Sequence, residues 1–220
     1  MDRALVIGHT GGIGRALLAA LAARGAAASG LSRRDGLDLR DPAAVERALA
    51  ALPGPFDAIL LATGILAPGG RAPERALREI DGSAMAEVMA VNAVGPALVL
   101  RHAPRLLPRR GRSVLGVLSA RVGSIGDNQL GGWHAYRASK AALNMLVRGA
   151  AIELGRTHPE AVVAALHPGT VDTPFTAAYA PPYEKLAPPE AARRLLAVLD
   201  GLRPAQTGRF WDHEGREVPW

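Results

Sequence analysis

The 220-residue chain contains no cysteine. Disulfides, thiolate catalysis and cysteine-ligated metals are therefore excluded. Lysine is nearly absent: of 26 basic residues only Lys140 and Lys185 are lysines, and the rest are arginines. Aromatic residues make up only 4% of the chain, so none alternate with the arginines to form a stacking platform for bases. The densest basic pairs, Arg33-Arg34, Arg109-Arg110 and Arg193-Arg194, stand far apart and are interleaved with acids. The net charge of +6 thus reads as a solvated arginine-rich surface, and no nucleic-acid partner is expected. No His, Asp and Glu cluster has metal-ligand spacing, so no metal is expected either. The opening "MDRALVIGHTGG" is too short in apolar residues for a signal peptide, and no apolar run reads as a membrane span. A cytoplasmic protein without a membrane partner is the expectation.

What is present is a chain that is 49% hydrophobic, with short apolar runs alternating with longer helical patterns. "RALVIG", "AAASGLSRR", "FDAILLATG", "RSVLGVLSA", "AVVAALHPG" and "GRFWDHEG" read as strands. Between them, "GIGRALLAALAARG" reads as a helix with Ile13, Leu17, Leu18 and Leu21 on one face and Gly25 as its stop. Asp41 is placed to cap a second helix that has Pro42 in its first turn. A long helical region runs from about Ser83 to Leu107, interrupted at Gly95-Pro96. A helix starting near Tyr136 carries Leu143, Leu146, Ala150 and Leu154 on its apolar face, and another lies around "PEAARRLLAVLDGL". Strand–helix alternation with continuously apolar strands predicts an α/β fold: one doubly wound parallel sheet of about seven strands, helices on both faces, within a single domain over 1–220. The proline-rich run after "HPGTVDT" predicts a substrate flap at about 172–189.

The first strand runs into "GHTGGIG", with Gly8, Gly12 and Gly14 opening a helix. Glycines here allow a tight turn and close approach of backbone to a diphosphate, and the helix N-terminus supplies free N–H groups. After a strand and before an amphipathic helix, this is the pattern of a Rossmann-type dinucleotide site. The second strand ends in Leu31, Ser32, Arg33 and Arg34. A hydroxyl and two guanidiniums suit the 2′-phosphate of NADP, whereas an NAD site carries an acid there. Asp35 lies slightly late for that role but keeps NAD open. Asp38 and Leu39 are placed near the adenine. In "WHAYRASKAALNML", Tyr136 and Lys140 fall one helical turn apart on one face. His167, before Pro168, reads as a packed strand-end histidine.

This glycine loop, followed by Asn92, Ser119, Tyr136 and Lys140, resembles the short-chain dehydrogenase/reductase family over nearly the whole chain. "LATG", "GSIGDNQLGGWHAYRASKAALN", "HPGTVDT" and "FWDHEGREVPW" look like its small carbonyl-reductase and C-factor-like branch. Two departures stand out. Leu61-Ala62-Thr63-Gly64 replaces a segment that more often carries two asparagines, and Ile7 replaces a threonine before the first glycine. The resemblance implies that Tyr136 is the general acid/base, tuned by Lys140, that Ser119 binds the substrate carbonyl, and that Asn92 holds a water leading to Lys140. It implies cofactor contacts from Gly8, Thr10, Gly12, Ile13, Gly14, Ala62, Thr63, Gly64, Asn92, Tyr136 and Lys140. After the fifth strand it adds Pro168, Gly169, Thr170, Val171 and Thr173. Val122, Trp133 and Phe175, with Tyr179 and Tyr183, are expected to line the substrate pocket, although Trp133 and Phe175 equally suit core or interface positions. An NADP-dependent carbonyl or alcohol oxidoreductase follows, assembled as a homodimer or homotetramer. The C-factor likeness leaves a second reading open, a cofactor-binding signalling protein with little turnover.

Overall fold

Six strands form one parallel sheet in the computed structural model, which describes residues 1–177, 179 and 183–220. The elements are β1 (Arg3–Ile7), α1 (Gly12–Ala23), β2 (Ala27–Leu31), α2 (Pro42–Ala50), β3 (Ala58–Leu61), α3 (Gly82–Met89), α4 (Gly95–Leu100), α5 (Ala103–Leu106), β4 (Ser113–Leu118), α6 (His134–Leu154), β5 (Ala161–His167), α7 (Pro188–Gly201) and β6 (Arg209–Asp212). The order across the sheet is β2-β1-β3-β4-β5-β6. Winding therefore runs outward in both directions from β1, and a crevice opens beyond the C-terminal ends of β1 and β3. About seven strands were expected, and six are seen among the described residues. The chain after β2 still alternates, with Leu37 and Leu39 buried on either side of Asp38, but it joins no ladder.

Side-chain alternation along the strands divides the core in two. Leu5, Ile7, Ile59, Leu61, Leu115, Val117 and Val163 face α2, α4 and α6. Ala4, Val6, Leu60, Val114, Val162 and Leu166 face α1 and α7. Asp41 caps α2 through the Ala43 N–H, as its position predicts. On α6 the buried face is rotated from the expected one. Leu143 and Leu154 are buried as expected, but Val147 and Ala151 complete the stripe, while Leu146 and Ala150 only pack at its margin.

The long helical region departs most from expectation. It runs without a break from Gly82 to Leu100, and its distortion precedes Gly95-Pro96 as a π-turn over Ala90–Val94. Pro96 has no N–H to give the Asn92 carbonyl, so the ladder shifts register, and the Gly95 N–H reaches back to Ala90. This 19-residue run, with mean hydropathy 1.5, is long and apolar enough by composition to cross a membrane, contrary to the sequence expectation. In this fold it lies against the sheet, with Val88, Asn92, Ala93 and Val99 buried.

Candidate active site

The crevice holds a cavity of about 1190 Å³. Its floor is the glycine loop. Gly8 adopts φ +89°, and a Cβ there would lie 2.6 Å from the Ala62 carbonyl oxygen. Gly14 has no room for a side chain against the Gly8 carbonyl, so helix and loop close tightly. At Gly12 the missing Cβ is replaced by the Thr173 methyl, which brings the loop after β5 onto the first turn of α1. Gly11 caps α1 without a side-chain bond, and the first turn contains no acid. Its N–H groups and partial positive charge are thus left for a ligand.

The opposite wall comes from β4, β5 and α6. Ser119, Val122, Tyr136, Lys140, His167, Pro168, Gly169, Thr170, Val171 and Thr173 line the cavity with Thr10, Ile13, Ala62, Thr63 and Gly64. Ser119 is buried at the end of β4, and its Oγ donates to Asn144 Oδ1 at 2.6 Å. Tyr136 and Lys140 are 6% and 3% exposed. Lys140 Nζ donates to the Leu118 carbonyl at 2.9 Å and lies 5.9 Å from the centre of the Tyr136 ring. Burial dominates both groups. It pushes the Tyr136 phenol up and lowers Lys140 from 10.5 to about 8. The sequence expectation had Lys140 drawing the phenol down. Here the ammonium bonds a backbone carbonyl, and burial acts on the phenol in the opposite direction.

Asn92 is wholly buried. Its Oδ1 accepts from the Ile65 N–H and its Nδ2 donates to the Ile65 carbonyl, both at 2.8 Å, with a further bond to Ser139 Oγ at 3.0 Å. A Cβ on Gly64 would sit 3.2 Å from Asn92 Oδ1 and 3.5 Å from Lys140 Nζ, so these groups converge on one point. His167 accepts from the Arg121 N–H at 3.3 Å, and burial first, with neighbouring cations, lowers it to about 4. It is a neutral, packed histidine, as its sequence position implies.

The aromatic residues gather at Tyr136. Trp133 meets Tyr136 edge-on at 6.3 Å and Tyr179 at 5.7 Å, and Phe175 lies 6.0 Å from Tyr136. Trp133 holds φ +50° and ψ +42°, a costly backbone for a bulky residue that concentrates at functional sites. All of them line the cavity, as does Tyr183, whose hydroxyl bonds Thr170 Oγ1 at 2.9 Å. Of the expected flap, residues 178 and 180–182 lie outside the described residues. Around them, Val171 bridges Leu186, and Lys185 Nζ donates to the Thr176 carbonyl at 2.7 Å.

Among the described residues the cavity lining does not include Gly8, Gly14, Ser32, Arg33, Arg34, Asp38, Leu39 or Asn92. Asp38 is clasped by Arg40 and drawn down to about 2, and Leu39 packs against Gly95. Ser32 Oγ donates to Asp35 at 2.8 Å and caps the turn that exposes Arg33 and Arg34. Three bonded residues escaped sequence reasoning. Asn144 holds Ser119, Ser139 links Asn92 to the Tyr136 carbonyl, and His9 reaches Asp35. Asn144 had a readable signal, since it continues the Tyr136–Lys140 face by one more turn among apolar neighbours.

The family model described as Enoyl-(Acyl carrier protein) reductase matches residues 13–196. The C-signal of Myxococcus xanthus is 44% identical over 150 residues, covering 66% of this chain and 84% of that protein. The 1-hydroxy-2-glutathionyl-2-methyl-3-butene dehydrogenase of Rhodococcus sp. (strain AD45) is 29% identical over the full length of both. A Burkholderia multivorans structure with bound NADP, described as a short-chain dehydrogenase/reductase, superposes with TM-score 0.81 at 26% identity, covering 100% of this chain and 99% of that one. With this fold and this constellation, the chain belongs to the short-chain dehydrogenase/reductase family of oxidoreductases.

Proposed function

We propose that the protein is an NADP-dependent oxidoreductase acting on a small carbonyl compound or the corresponding alcohol. The observation that carries this reading is one cavity joining an uncapped, glycine-lined helix N-terminus to buried Ser119, Tyr136 and Lys140. The residues present fit the cofactor. Gly8 and Gly14 let the loop and α1 close tightly behind the cavity, Gly11 and Gly12 line it, and the first turn of α1 offers free donors to a diphosphate. Arg33 and Arg34 are exposed and, among the described residues, make no salt bridge, which suits a 2′-phosphate. Thr10, Ile13, Ala62, Thr63, Gly64, Pro168, Gly169, Thr170, Val171 and Thr173 would hold the remainder. When bound, the cofactor supplies or accepts hydride.

This chain's residues then handle the proton. Tyr136, kept protonated by burial, donates its hydroxyl proton to the carbonyl oxygen in reduction and takes one back in oxidation. Ser119, with its hydroxyl proton turned from Asn144 Oδ1 to that oxygen, holds it and steadies its developing charge. Lys140, one turn away, stabilises the tyrosinate left behind. Asn92 fixes Ile65 and, through Ser139, the Tyr136 end of α6, while Pro96 leaves the Asn92 carbonyl without its helical donor, a point suited to a water leading to Lys140. Trp133, Phe175 and Val122 supply an apolar wall to the substrate.

The full-length relative in Rhodococcus is a dehydrogenase of a hydroxy compound, which favours turnover. The Myxococcus relative favours the second reading, a signalling protein that binds cofactor. NADPH oxidation against a panel of aldehydes, ketones and quinones separates them. Turnover of at least one carbonyl class supports the enzyme; firm NADPH binding with none supports the signalling protein.

A further inference from the structure

The ends of β1 and β2 lie side by side, with Ile7 paired to Leu31, so the first residues of the glycine loop face the turn after β2. His9 crosses between them. It lies against Gly30, a mid-strand glycine where a Cβ would collide with the imidazole. Glycine weakens a strand, and its presence here makes room for the close approach of His9. The ring ends at Asp35, where His9 Nε2 and Ser32 Oγ both donate to Oδ2, at 2.9 and 2.8 Å. Both bonds hold the Asp35 carboxylate below its usual range, His9 first. His9 is 24% exposed and Asp35 41%, so the pair is open to solvent; His9 is next in sequence to Thr10, which lines the cavity, although neither residue of the pair lines it.

We propose that His9 is a specificity residue that sequesters Asp35 and thereby sets NADP over NAD. Asp35 directly follows Arg33 and Arg34. A free carboxylate there would pair with those guanidiniums, repel a 2′-phosphate, or accept from the ribose hydroxyls of NAD. Turned onto His9 and Ser32, it does none of these, and the two arginines remain available. This rests on the NADP reading above and concerns the chain's own means of achieving it.

Binding titrations without turnover test it, using NADPH and NADH, and 2′,5′-ADP against 5′-ADP as fragments, on wild type, His9→Ala, Asp35→Asn and the double variant. Wild type should prefer the 2′-phosphorylated ligands. His9→Ala should cut that preference about five-fold or more, the scale of one partly exposed charge contact. The double variant should regain the preference, because the competing carboxylate is gone. Lack of preference in wild type overturns the NADP reading itself. An unchanged preference in His9→Ala overturns only the role of His9. Preference lost in both His9→Ala and the double variant assigns His9 to packing on Gly30 and overturns sequestration of Asp35.

Discussion

The two ends of the crevice hold their ionisable groups under opposite conditions. At the ends of β1 and β2, Arg33, Arg34, His9 and Asp35 stand in or near solvent. What matters there is which partner each one holds. At the ends of β4 and β5, Tyr136 and Lys140 are almost wholly buried, and burial shifts both toward their neutral forms. On the proposed function, the first region recognises a fixed charge and the second moves a proton. Solvent exposure, together with residue type, separates the two ends.

Substitutions at each end should therefore fail in different ways. Ser119→Ala, at the buried end, should lower kcat by about 10²–10³-fold, the usual cost of removing one donor to a developing oxyanion, while NADPH binding is unchanged. Parallel losses of binding and rate would break the division. Lys140 comes next, through stability. Its depressed value means the unfolded chain binds more protons between about pH 8 and 10.5, so stability should rise with pH across that window. Below it the buried ammonium carries its full desolvation cost, on the order of 3 kcal/mol at most. Lys140→Met should thus resist urea better than wild type near neutrality, and the advantage should shrink toward about pH 10. An advantage independent of pH would place the effect in packing instead. The smallest change is expected at the exposed end. Arg33→Ala should weaken NADPH binding about tenfold and leave NADH binding nearly unchanged, because only one ligand carries the phosphate. Equal losses for both would remove Arg33 from phosphate recognition.

Much of this was legible in the sequence, where local rules act. The apolar strands, the Asp41-Pro42 helix start and the strand–glycine–helix run each follow from nearest neighbours in sequence, and they appear where expected. Tyr136 and Lys140 were readable because a helix converts a spacing of four into a shared face. The π-turn was half-readable: Gly95-Pro96 marked a disturbance, but a missing donor is felt four residues earlier, at Asn92. What remained hidden depends on contacts between distant segments. The Lys140 ammonium on the Leu118 carbonyl, Ser119 on Asn144, and His9 on Asp35 all join residues more than twenty positions apart. The turn placing Tyr136 under Trp133, Phe175 and Tyr179 likewise requires the folded chain.

On the proposed function, Tyr136 is the proton-transfer group of a cofactor-dependent reaction, and its hydroxyl adds little to cofactor affinity even where the residue touches the cofactor. Tyr136→Phe keeps the ring and removes only the hydroxyl. Measured beside wild type for NADPH affinity and for NADPH-dependent reduction of whichever carbonyl is turned over, it should bind NADPH within about twofold of wild type yet reduce the carbonyl about 10²–10⁴-fold more slowly. A variant that binds NADPH normally and reduces the carbonyl at close to the wild-type rate would contradict the account.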